Sequence, residues 1–82
     1  MVRSPHLVCY DIASDRTRRR AFKTLRARGE ALQRSVFLVR TCPKGAERLE
    51  RDLRALAGPG DAVLVVRVVE GAALPRPEPL IV

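Results

Sequence analysis

Asp11 is the residue whose type and place most invite chemistry, a carboxylate closing the apolar run Leu7-Val8-Cys9-Tyr10. Alone it makes a sparse active site. Two copies brought together across a two-fold axis would repel, so one takes a proton or a cation sits between them. Magnesium suits such a place because it needs few protein oxygens and keeps several waters. One of those waters could attack a phosphodiester while the metal stabilises charge on the phosphoryl oxygens. Asp11 is thus the candidate catalytic residue and the candidate Mg2+ ligand. A plain structural reading stays open beside this one, a strand-end aspartate bonding the turn that follows. Asp15 reads first as a helix cap and only second as a metal ligand. His6, the sole histidine, has no partner in the sequence, so no imidazole is placed to act as base.

The second chemical feature is a block of cations. Arg16, Arg18, Arg19, Arg20, Lys23, Arg26, Arg28 and Arg34 fall within 19 positions, opposed only by Glu30, and eight minus one equals the whole net charge of +7. The rest of the chain carries eight cations and eight anions, which cancel. Charge concentrated in this way points to a phosphate-binding face. Arginine, 14 of the 16 cations, can engage phosphate bidentately, although a GC-rich genome gives the same bias. The candidate nucleic-acid contacts are Arg16, Arg18, Arg19, Arg20, Lys23, Arg34 and the hydroxyl of Ser35. Ser35 would equally serve to turn the chain, and a solvated basic helix without a ligand is the plain alternative for the whole block. An anionic membrane is the weaker partner, since the segment has few large apolar side chains to insert. Three aromatic residues leave little for base stacking on single strands. Tyr10 faces away from Asp11 and reads as core with a satisfied hydroxyl, and Phe37 as core or interface.

The elements that must position these groups follow from periodicity. Leu7–Ile12 alternates and reads as a strand covered on both faces. Residues 16–28 read as a helix capped by Ser14 or Asp15, with Ala21, Phe22 and Leu25 as its apolar stripe and Gly29 as a left-handed stop. Glu30–Thr41 holds a tight pair of strands broken near Arg34-Ser35. Pro43 opens a second helix whose stripe is Ala46, Leu49, Leu53 and Leu56, ended by Gly58-Pro59-Gly60. Its charges pair locally, Glu47 with Arg51 and Glu50 with Arg54. Ala62–Val69 is a β-branched run that reads as a buried strand. The order β-α-β-β-α-β predicts an α+β, ferredoxin-like sandwich over residues 1–70, with two helices on one face of an antiparallel sheet. Residues 71–82 form a proline-rich tail ending in Leu80-Ile81-Val82, expected to cross to a partner as a short edge strand or apolar plug.

At 82 residues there is room for one domain with a thin core, burying only about 60% of the surface its unfolded chain exposes. The sheet face left bare by the helices would be covered most simply by a second copy, hence a homodimer. Cys9 and Cys42 are too few for a disulfide framework or a closed zinc site. With no leader and no long apolar stretch legible, the expected setting is the cytoplasm and not a membrane.

Tyr10-Asp11-Ile12, Asp15, Arg18-Arg19-Arg20, Gly29 and Gln33-Arg34-Ser35-Val36-Phe37, at these spacings, resemble the signature of the CRISPR-associated endonuclease-two family. The first 40 positions carry the likeness closely, and the second helix and last strand fit in pattern only. The resemblance implies a symmetric dimer, a C-terminal strand added to the partner, and a divalent metal at Asp11. It also implies a partner integrase with which the dimer captures and inserts short DNA duplexes. Ala31 and Leu32 replace a basic residue often found before the glutamine, and the tail is short and proline-rich. Either departure could weaken a nuclease while leaving DNA bridging intact. Bridging of duplex DNA within a spacer-acquisition complex is therefore the working role, and metal-dependent cleavage of DNA or RNA through Asp11 is the second. A toxin-like endoribonuclease of the virulence-associated type D family is the third.

Overall fold

The computed structural model describes residues 3–69, so the expected docking of the tail lies outside the described residues. Six elements follow in order: β1 (Ser4–Asp11), α1 (Asp15–Arg26), β2 (Glu30–Gln33), β3 (Val36–Thr41), α2 (Pro43–Leu56) and β4 (Ala62–Arg67). The sheet runs β2-β3-β1-β4, with every neighbouring pair antiparallel. This matches the ferredoxin-like pattern read from the sequence.

Alternation along β1 decides which side of the sheet becomes core. Val8 stands opposite Phe37 and Val65, and Tyr10 opposite Val63, so these side chains share one face. They join Ile12 and Val39 with Ala21 and Leu25 of α1 and Leu49 and Leu53 of α2 in a single buried cluster. Both helices therefore cover the same face. Leu56, expected in the buried stripe, is only half-buried at the last turn of α2. Phe37 is fully buried and holds two other rings, Phe22 edge-on at 5.4 Å and Tyr10 stacked at 6.3 Å between centroids. That places Phe37 in the core.

The opposite face corrects two expectations. Leu7, Cys9, Val36 and Leu38 are half-buried, while Leu64 and Val66 are 56% and 44% exposed. Among the described residues of the single chain, β1 is covered by the helices on one side and only partly covered on the other. β4 is an edge strand among the described residues, and its β-branched run buries only Val63 fully. A β-branched run records preference for a pleated backbone more than for burial.

The turns that set element ends show two further differences. Ser14 caps α1, its hydroxyl accepting from Thr17 N–H, and Asp15 instead becomes the first helical residue. Gly29 is not left-handed, for positive φ occurs only at Gly60 among the described residues. Glycine is required at 29 by close approach, because a Cβ there would meet the Leu38 carbonyl oxygen and stand 2.8 Å from Val39 Cγ2. Cys42 caps α2, its sulfur accepting from Gly45 N–H at 3.4 Å, and that bond lowers the thiol pKa. Cys9 and Cys42 are free thiols. His6 is buried, with Nδ1 2.9 Å from the Ser4 carbonyl oxygen, so it has the partner that the sequence could not indicate.

Candidate nucleic-acid interface

The β2–β3 hairpin tip is tied to the end of β1 by two bonds from one residue. Tyr10 N–H donates to the Ser35 carbonyl at 3.1 Å, and the Tyr10 hydroxyl donates to the Arg34 carbonyl at 3.2 Å. Burial raises the phenol pKa, opposed by the Arg18 charge, so this hydroxyl stays a donor at neutral pH. The tip is thereby held beside the first turns of α1. Between them opens a cleft of about 450 Å³ lined by Tyr10, Arg18, Arg19, Phe22, Arg34 and Ser35.

Four of the seven sequence-predicted contacts, Arg18, Arg19, Arg34 and Ser35, thus meet around one opening although 16 positions separate Arg18 from Arg34. Arg16, Arg20 and Lys23 do not line it; they stand exposed on α1. The charges are also less uniform than their count suggests. Arg18 pairs with Asp15 and donates through Nη1 to the Ile12 and Ala13 carbonyls at 3.1 and 3.4 Å. It ties the β1–α1 loop to the helix, and Asp15 neutralises it in place. Arg16, Arg19, Arg20, Lys23 and Arg34 make no ion pair among the described residues. On α2 Arg54 pairs with Glu50 at 3.1 Å and also donates to the Val63 carbonyl, whereas Glu47 and Arg51 do not close the expected pair.

Asp11 ends β1 on the other face, opposite Ala62 and exposed. It does not line the arginine cleft. Asp61, which the sequence marks only as the opener of the last strand, stands one position before Ala62. Its carboxylate accepts from Gly58 N–H at 2.8 Å and Ala13 N–H at 3.1 Å, which hold its pKa below the usual value. Each of its two oxygens thus accepts one backbone N–H. An aspartate after a Gly-Pro-Gly turn was the available signal for such a clamp. Among the described residues no three His, Cys, Asp or Glu side chains stand together as a metal site. Asp11 is exposed and belongs to no such group. Among the described residues no helix is long and apolar enough to cross a membrane.

The chain is similar to a hypothetical protein, TT1823, from Thermus thermophilus, whose crystal structure superposes with a TM-score of 0.73. Identity is 33% over 93% of this chain and 99% of that one. No curated protein sequence matches. The family model for CRISPR associated protein Cas2 matches residues 5–73, a span that includes all of β1 but Ser4, the arginine cleft, both helices and β4. With that match spanning most of its length, this chain belongs to the CRISPR-associated Cas2 family, which gives it a CRISPR-associated role.

Proposed function

We propose that this protein is the DNA-bridging subunit of a CRISPR spacer-acquisition complex. In this role it is a homodimer that holds the backbone of a duplex while a partner integrase works on the ends. The observation that carries the binding half is the cleft joining Arg19, Arg34 and Ser35 from separate elements, continued by Arg16, Arg20 and Lys23 along α1. Guanidinium groups carried by a hairpin and a helix suit phosphate oxygens, which orient a duplex without reading its sequence. The integrase enters through family membership alone. The toxin-like endoribonuclease reading is not favoured by that membership.

Homodimer formation is supported by the apolar outer face of the sheet, whose Leu64 and Val66 are exposed in the single chain. Asp11 lies on that face, so a dimer would draw two copies toward a common region, where Mg2+ could be held jointly. The bound ion would supply Lewis acidity toward a phosphate oxygen. The chain's own contribution there is one exposed carboxylate per subunit, which leaves backbone binding as the better supported role.

The test is a fluorescence titration of a labelled duplex of about 20 base pairs across a salt series. Arg19→Ala with Arg34→Ala should weaken binding to every sequence alike. It should also lower the slope of log affinity against log salt by roughly 0.9 for each phosphate that is no longer neutralised. Arg48→Ala with Arg51→Ala, on α2, should change the slope little. Equal reductions from both pairs would mean that affinity reflects net charge and not this interface.

A further inference from the structure

We propose that a second phosphate-binding cleft lies at the far end of α1, formed by Arg3 and Arg28, and that one nucleic-acid backbone occupies both clefts. The inference rests on the nucleic-acid reading above and adds a site to it. Arg3 precedes β1, Arg28 follows α1, and Arg40 lies on β3; together they line an opening of about 230 Å³. Val39 and Leu49 contribute apolar wall, and Thr41 and Gly45 complete the lining. A Cβ at Gly45 would collide with the Thr41 hydroxyl, so glycine lets that hydroxyl lie against the first turn of α2. A second opening of about 250 Å³ shares Arg28 and Arg40 and adds Glu30, the one acidic residue among the described residues that line either opening. Without counting Arg40, Arg3 and Arg28 against one carboxylate leave the described lining with a positive excess, and Arg3 comes from outside the basic block of the sequence. Arg40 has further contacts of its own and serves here as lining, so Arg3 and Arg28 are the proposed donors.

A backbone suits the arrangement better than a small anion because of what lies between the clefts. The 12 residues of α1 span about 18 Å at 1.5 Å per residue, and Arg16, Arg20, Lys23 and Arg26 stand exposed along it. A strand of duplex presents a phosphate about every 3.4 Å of axis, so that length corresponds to roughly five base-pair steps. A polyanion can follow the whole track, whereas a free anion uses one end of it.

The experiment uses the full chain with a labelled duplex of about 20 base pairs over a salt series. It compares wild type, Arg3→Gln with Arg28→Gln, Arg19→Gln with Arg34→Gln, and all four changes together. Each pair should lower the salt slope by roughly 1.8 for every chain engaged, and the quadruple variant by about the sum. Thermal unfolding should stay at the wild-type temperature in the Arg3→Gln with Arg28→Gln protein. A wild-type slope from that protein, beside a reduced one from Arg19→Gln with Arg34→Gln, would overturn the second cleft and leave the first standing. Wild-type slopes from both would overturn the nucleic-acid reading itself. A parallel titration with inorganic phosphate separates the sources. Phosphate binding abolished in Arg3→Gln with Arg28→Gln, with an unchanged duplex slope, would make this a small-anion site and sink the proposal.

Discussion

Three residues have effects that follow from their immediate surroundings. Asp61 holds the β1–α1 loop through Ala13 N–H and closes the Gly58 turn, and both bonds depress its pKa. Because the folded pKa lies below the unfolded one, its contribution is complete above the ordinary aspartate value of about 3.9. It is lost as pH falls through the folded pKa. Thermal unfolding of Asp61→Asn should therefore show a flatter loss of stability below about pH 4 than wild type, while near pH 7 the variant melts lower. Gly29→Ala should destabilise by about 1–3 kcal/mol, since the new methyl meets backbone at Leu38 that cannot swing aside. A denaturant midpoint equal to wild type would show that β3 yields more easily than this close approach implies. Asp11→Ala should leave the fold intact, because Asp11 is exposed at a strand end. Any Mg2+-dependent cleavage that survives in the purified variant would belong to another group or to a contaminant.

Among the elements, the β2–β3 hairpin matters most to the interface. Its tip has no Asn-Gly turn to hold it, and register shifts at a bulge between Ala31 and Gln33. Tyr10 supplies the missing constraint through its two bonds to Arg34 and Ser35. Tyr10→Phe keeps the ring and the backbone bond but leaves the Arg34 carbonyl without its donor. The expected cost is about 0.5–1.5 kcal/mol in stability, with weaker duplex binding because Arg34 is less firmly placed. The binding effect should be small in a variant that also lacks the Arg34 side chain, so a double-mutant cycle on duplex affinity checks the coupling. Arg18 acts at the same scale, tying the loop before α1 to the helix more than offering charge outward.

For the whole molecule, the decisive feature is the one-sided core. The helices cover one face of the sheet, and Leu7, Cys9, Val36, Leu38, Leu64 and Val66 are left on the other. Association through that face should appear in sedimentation as twice the mass of one chain at micromolar concentration. Leu64→Lys with Val66→Lys should shift the population to monomer, with helical content retained near the wild-type level. A wild-type protein that sediments as a stable monomer would remove the dimer and, with it, any shared site at Asp11.

Much of this was legible along the chain, because it depends on local rules. Alternation from Val8 to Ile12 marked the core face of β1, Ser14 and Pro43 marked the helix starts, and the break at Arg34-Ser35 marked the hairpin. Steric preference, capping and period act over a few residues, and those are written in order. What the tertiary structure alone decided involves partners far apart in sequence. Gly29 is needed because β3 passes over it, not because its own φ is unusual. Ala62–Arg67 became an edge strand because topology put β1 on one side of it only among the described residues. Asp15 neutralises Arg18, and Arg3 lines one opening with Arg28, so a count of charges could not locate the field. Net charge is a sum over residues, whereas the potential that a phosphate meets depends on which guanidinium groups folding brings within a Debye length of one another, about 8 Å in physiological salt.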